Sequence, residues 1–340
     1  MENRISFKND YSEGAHPAIL SLLMDSNLNQ EPGYGEDSLS KAAKDKIREA
    51  LGKSEAEVFF VAGGTQANLL LISHLLKPYE SVIAADTGHI EVHETGAIEY
   101  TGHKINLVKN GAGKITVQGI DDVVRLHTDH HMVKPKMVYL SQTTELGTVY
   151  KKQEIKEIAA YCRSNDLFLY VDGARLGVAL TSPYNDLSLA DLAELTDAFY
   201  IGATKNGGLL GEALVFNRPE LAEGFSYTLK QRGALMAKGR LLGAQFLALF
   251  SDNLYYQLAE HANTQAMRLA KAFEAKGYAF ASQPESNQLF PILPVQLIER
   301  LQQDFEFYIW EKRSPEEAVV RLVTSWATDP KDVEKCMLTL

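Results

Sequence analysis

Met137-Val138-Tyr139-Leu140, then Lys152 to Arg163, then Phe168-Leu169-Tyr170-Val171-Asp172-Gly173-Ala174-Arg175: the fold is read from this stretch. Its two apolar runs are short and continuous rather than alternating, the pattern of strands covered on both faces. Between them Ile155, Ile158, Ala159 and Cys162 share one face of a helix. The same rhythm extends outward. Val58 to Val61, Val82 to Ala84, Phe199 to Ile201 and Leu214 to Phe216 read as further buried strands, and Ser40 to Leu51, Gln66 to Leu76 and Ser188 to Leu195 as helices. The alternation predicts an α/β fold with a mainly parallel sheet.

Beyond it, Gln257 to Lys276 reads as a long amphipathic helix with Leu258, Ala262, Leu269, Ala270 and Phe273 inward and Gly277 as its stop. After Pro284 come a strand (Gln288 to Leu293), a helix (Val295 to Gln303), strands at Glu306 to Trp310 and Ala318 to Val323, and a helix from Pro330 to Met337. The expected division is a large domain with an N-terminal arm over residues 1–250 and a smaller α+β domain over 251–340.

The 340 residues suffice for such a core, and a formal net charge of −10 argues against nucleic acid or an anionic membrane as the main partner. Cys162 and Cys336 stand far apart, outside any metal-ligand spacing, so no metal site is expected and a reducing cytoplasm fits. Met1 to Asp10 carries no apolar signal core, and the apolar run Leu241 to Phe250, interrupted by Gln245, is too short to span a bilayer.

Three strand ends carry chemistry. Gly63-Gly64-Thr65 follows Val61-Ala62 and opens a helix; glycines let backbone N–H groups approach an anion, the helix N-terminus favours it, and Thr65 adds a hydroxyl. A plain tight turn is the alternative there, and the spacing is that of neither a phosphate loop nor a dinucleotide fingerprint. Asp172 ends an apolar strand, where it can keep a pyridine nitrogen protonated or cap a helix. Lys205, in Gly202-Ala203-Thr204-Lys205-Asn206-Gly207-Gly208, lies beyond another strand among small residues, a setting that desolvates its amine for imine formation. Phosphate, ring nitrogen and aldehyde are the three requirements of pyridoxal 5'-phosphate (PLP), and the three strand ends meet them in order.

With these, Asn9-Asp10, Gly33-Tyr34-Gly35-Glu36-Asp37, Gly64-Thr65-Gln66-Ala67-Asn68, Gly88-His89 with Glu94-Thr95-Gly96-Ala97, Thr143-Thr144-Glu145-Leu146-Gly147-Thr148-Val149-Tyr150, Asp172-Gly173-Ala174-Arg175, Thr204-Lys205-Asn206-Gly207 and Val320 to Ser325 make the chain resemble the low-specificity L-threonine aldolases, β-eliminating lyases within the fold-type-I PLP-dependent transferase-like enzymes. The resemblance covers nearly the whole chain. It implies PLP-dependent cleavage of β-hydroxy-α-amino acids to glycine and an aldehyde, in a homotetramer built from dimers with shared sites. It implies that Lys205 carries the cofactor, Asp172 pairs with its ring nitrogen, Gly64 and Thr65 hold its phosphate, and His89 stacks on its ring near the substrate hydroxyl. Arg321 and Arg175 would grip the substrate carboxylate, with Arg175 alternatively on the ring hydroxyl. Arg321 also stands out on physical grounds, since a guanidinium amid Val319-Val320-Arg321-Leu322-Val323 demands an anion, whether substrate or protein.

Tyr34 would reach a neighbouring subunit's site or pack in its own turn, and Lys230, Arg232 and Lys238 would lie near the phosphate. His93 lacks motif support and reads as structural or exposed. Two departures stand out. Asn9-Asp10 replaces the Ser-Asp of many relatives, leaving Asn9 an amide with which to bind substrate. Around Thr143-Thr144-Glu145 the second histidine of some aldolases is missing, so a phosphate-bound water, His89 or Glu145 is the expected base. The alternatives are a PLP lyase that eliminates a β-substituent to give pyruvate and ammonia, a non-catalytic PLP-binding paralogue, and, less in keeping with the motifs, a nucleotide-binding α/β protein.

Overall fold

The structure is a computed structural model that describes residues 4–109 and 111–340; residues 1–3, part of the N-terminal stretch read above, lie outside the described residues. Its centre is a seven-stranded sheet in the order 57–61, 212–216, 198–202, 168–172, 134–141, 80–85, 105–108. All neighbouring pairs are parallel except those of Glu212–Phe216, which runs antiparallel to both its partners. The strands are buried on both faces, as their continuous apolar character requires. Val138, Leu140, Leu169, Val171, Phe199 and Ile201 enter one core, while Met137, Tyr139, Tyr170, Ala198 and Tyr200 enter the other. The helix Lys152–Ser164 returns the chain between the 134–141 and 168–172 strands and buries Ile155, Ile158, Ala159 and Cys162.

One central strand was not anticipated. Ile105–Val108 is an edge strand whose Leu107 is 42% exposed, so its sequence lacks a fully apolar run. The expected strand Gln288 to Leu293 is two, Gln288–Leu289 and Ile292–Pro294, both paired to Glu317–Val323. Pro291 stands at the break and cannot donate to a ladder. Glu306 to Trp310 is likewise divided: Phe305–Glu306 pairs in parallel with Ile5–Ser6, and Tyr308–Lys312 pairs with Glu317–Val323. The helix Leu254–Ala275 buries the five residues expected to face inward and ends before Gly277, at φ +81°. A third core joins Ala266, Leu269 and Phe273 of this helix to Leu297, Phe305, Val320 and Leu322, with Phe7 of the N-terminal arm inserted among them.

Candidate active site

The parallel strands end along one edge, and each delivers a piece of the site. The turn after Glu57–Val61 brings Gly63 and Gly64, that after Glu80–Ala85 brings His89, and Lys134–Ser141 leads to Glu145. Phe168–Asp172 ends on Asp172, and Ala198–Gly202 leads to Lys205. This is the edge at which open α/β sheets hold ligands.

His89, Arg175, Lys205 and Arg321 line one cavity of about 480 Å³, together with Tyr11, His93, Glu145, Gln288 and the 308–310 segment. Lys205 makes no hydrogen bond or ion pair with any described residue. Burial, then the Arg175 charge, depresses its pKa against the opposing pull of Asp10, Asp172 and Glu212. A depressed ammonium pKa is what an amine needs in order to act as a nucleophile.

Asp172 sits behind the cavity in a cage of donors. Its Oδ1 accepts from Tyr200 Oη at 2.5 Å and Ala174 N at 3.0 Å, and its Oδ2 from Tyr139 Oη at 2.6 Å and Asn68 Nδ2 at 3.1 Å. Burial alone would raise its pKa, but the His89 ring and the two tyrosine hydroxyls outweigh that and hold it below the usual carboxylate value. Both phenols are pushed well up by burial and by Asp172, so they remain donors. Asn68 also donates to Glu94 Oε1 at 2.7 Å, and the same oxygen meets His89 Nδ1 at 2.8 Å. Because Glu94 Oε1 already accepts from Asn68, we assign the His89 ring proton to Nδ1, which leaves Nε2 directed away from this pair.

Glu145 Oε1 accepts the His89 amide at 2.9 Å and the Ser141 hydroxyl at 2.6 Å, and burial raises its pKa. Arg175 is largely committed: its Nε and one Nη bind the two oxygens of buried Asp10 at 2.7 and 2.9 Å. Arg321 is not. It gives one Nη to Gln288 Oε1 at 2.7 Å, lies 5.7 Å from the Trp310 ring centre, and keeps a buried Nε without a partner. Burial, then Arg175, brings its pKa down to about 10, so it stays a cation at neutral pH.

The other expected residues lie apart from this cavity. A Cβ at Gly64 would stand 2.8 Å from the Tyr200 hydroxyl, so only a glycine leaves that donor to Asp172 undisturbed. Thr65 lines a second groove, of about 820 Å³, with Gln66, Tyr100, Gln231 and Arg232, and the buried Nε of Arg232 has no partner among the described residues. Gly63, which caps the Gly64–Leu75 helix, offers no side-chain bond to the first turn, leaving N–H donors for an anion. Asn9 does not line the cavity; its Oδ1 caps a turn by accepting from Tyr11 N and Ser12 Oγ. Tyr34 is half exposed, at φ +60°, with the Lys230 ammonium 4.8 Å from its ring centre.

Several members were not assigned a role from sequence. Tyr139 and Tyr200 pass for strand hydrophobics, although a buried tyrosine needs a partner for its hydroxyl and so carries a faint signal. Asn68, Glu94 and Asp10 stood in recognisable motifs with their partners invisible, and His93 proves to face the cavity.

Residues 12–294 match the beta-eliminating lyase family. The chain is 35% identical over 335 residues to a low specificity L-threonine aldolase of Pseudomonas aeruginosa, covering 97% of this chain and 95% of that protein. A second such enzyme, from a Pseudomonas species, is 33% identical over 97% of this chain and 95% of its own length. A solved threonine aldolase structure from Leishmania major superposes with a TM-score of 0.97 at 48% identity, covering 98% of each chain. An aspartate aminotransferase of Thermus thermophilus shares the fold alone, with a TM-score of 0.72 at 14% identity over 99% of this chain and 91% of that one. The fold and site thus define a fold-type-I, PLP-type lyase architecture. The chain belongs to the beta-eliminating lyase family.

Proposed function

We infer that this protein cleaves β-hydroxy-α-amino acids of the L-threonine and L-allo-threonine type into glycine and an aldehyde, with PLP as cofactor. The observation that carries this reading is the convergence of His89, Arg321 and Lys205, the last without a hydrogen bond or ion pair among the described residues, on one cavity near the ionised Asp172. The residues fit the cofactor. Lys205 offers an amine to its aldehyde, Asp172 a negative charge to its ring nitrogen, and Gly64, Thr65 and the open helix N-terminus donors to its phosphate. The orphaned Arg232 Nε beside Thr65 supports the same anion. When bound, PLP supplies an electron sink for the carbon left when the Cα–Cβ bond breaks.

The chain's own groups do the rest. Arg321 receives the substrate carboxylate, and Gln288 and Trp310 hold its guanidinium in place. Arg175, braced by Asp10, adds positive charge beside Lys205 and, with burial as the larger cause, lowers the pKa of that amine. His89 is oriented by Glu94 over the Asp172 network, and its Nε2 is free to face substrate.

The proposal keeps the division near residue 250 and the cytoplasm, which suits two free, buried thiols. It includes a tetramer of paired dimers in which Tyr34 serves a neighbour's site. Exposed Tyr34, Met24, Leu28 and Tyr227 on a single chain support that assembly.

The test is to incubate the purified protein with PLP and L-threonine. Expected are an absorption band of bound cofactor, borohydride labelling that maps to Lys205, and glycine with acetaldehyde as products. Pyruvate and ammonia would point to β-elimination instead, and full turnover by Lys205→Ala would overturn the assignment.

A further inference from the structure

Three acid–base side chains other than tyrosine, lysine and arginine line the cavity: His89, His93 and Glu145. Two are already fixed by hydrogen bonds to neighbours, His89 keeping Nε2 open. His89 gives its Nδ1 to Glu94, which Asn68 ties to Asp172, so its ring is anchored. Glu145 spends Oε1 on two donors, the His89 amide and the Ser141 hydroxyl. His93 differs. Its imidazole makes no hydrogen bond or ion pair among the described residues, and the residue is exposed where it borders the cavity. One helical turn carries both rings, with His93 N donating to His89 O at 2.9 Å and the ring centres 5.5 Å apart.

Resting on the aldolase reading above, we propose that His93 is a catalytic residue of the cleavage, taking the β-hydroxyl proton of the substrate on a free ring nitrogen. The O–H bond breaks toward the imidazole, and its electron pair becomes the second C–O bond of the aldehyde as the Cα–Cβ bond breaks. The pair from that bond stays with the amino-acid half, which regains a proton at Cα and leaves as glycine. The imidazolium of His93 then releases its proton to solvent, which balances the proton gained at Cα, so the residue ends each turnover as it began.

The charged surroundings suit this task. Arg175 and Arg321 bring positive charge to the cavity from other elements, with Lys205 beside them and His89 on the segment of His93; Glu145 is the carboxylate lining it, and Glu94 is turned toward His89. Burial, then the charges of His89, Arg321 and Lys205, lowers the pKa of His93, so the ring is neutral and an acceptor near pH 7.

The experiment compares wild-type holoenzyme with His93→Asn and His93→Gln. Glycine affinity, read from the change in bound-cofactor absorbance, should stay within about two-fold. Turnover of L-threonine should fall by about 10²-fold or more, and the acidic limb of the kcat–pH profile should disappear. Unchanged turnover with the limb intact overturns the proposal. A loss of glycine affinity in step with turnover also overturns it, because His93 would then be holding ligand rather than moving a proton. A wild type that yields no glycine from threonine sinks the aldolase reading, whereas an active wild type with indifferent variants sinks only the role of His93.

Discussion

Arg175 and Asp10 meet across a sequence separation of 165, in a buried pair with two hydrogen bonds. Burial alone would lift the Asp10 carboxyl, but Arg175, then Lys205, and the Asn287 amide hold it below its ordinary 3.8. A depressed acid contributes stability that is present above its unfolded pKa and is lost as pH falls through the folded value. Asp10→Asn keeps the shape but leaves the guanidinium without its counter-charge. It should cost about 3–5 kcal/mol at pH 7, read from the urea midpoint, and should abolish the acid-side loss attributable to this group. A variant within about 0.5 kcal/mol of wild type would show that the pair does not hold the N-terminal arm in place.

At the scale of elements, the carboxyl ends of two adjacent strands must lie close for Asp172 and Lys205 to share a site. Gly202 N donates to Gly173 O at 3.0 Å, and a Cβ at Gly173 would run into the Tyr200 carbonyl oxygen. Backbone cannot swing aside as a long side chain can. Gly173→Ala should therefore cost about 3 kcal/mol in chemical denaturation, while Gly14→Ala, with open space around it, serves as a neutral control. Equal midpoints for the two would refute the close-approach argument. The same crowding explains why the strand readings Phe168 to Val171 and Phe199 to Ile201 were legible: no polar group but a tyrosine tip interrupts them. The edge strand Ile105–Val108 was not, because one flank faces solvent and its apolar run is broken.

For the whole molecule, the buried charges make stability depend on pH in a way that can be checked without cofactor. Burial lifts the Glu212 carboxyl to about 8, with Thr204 and Lys205 pulling the other way. Between 4.5 and about 8 the folded chain keeps a proton that the unfolded chain has released, so stability from this group is full below that window and falls as pH rises through it. Lys205, with its depressed pKa, contributes the opposite slope, and it is present in both proteins compared. Cofactor-free Glu212→Gln should therefore gain on wild type by up to about 1.4 kcal/mol per pH unit across the window, measured by urea titration at pH 5 and pH 8. A constant difference at the two pH values would mean that Glu212 is ionised in the folded state.

What the sequence by itself determined is local in origin. Apolar runs, helical spacing and glycine turns follow from the chain's own periodicity, and they led to the α/β sheet, its smaller partner and the strand-end positions of Gly64, Asp172 and Lys205. Only the tertiary structure decided which groups answer one another: Asp10 with Arg175, Glu94 with His89, the tyrosine hydroxyls with Asp172, and His93 with the cavity. These contacts form where distant segments converge. A side chain's charge and tautomer depend on its neighbours in space, which periodicity along the chain does not encode.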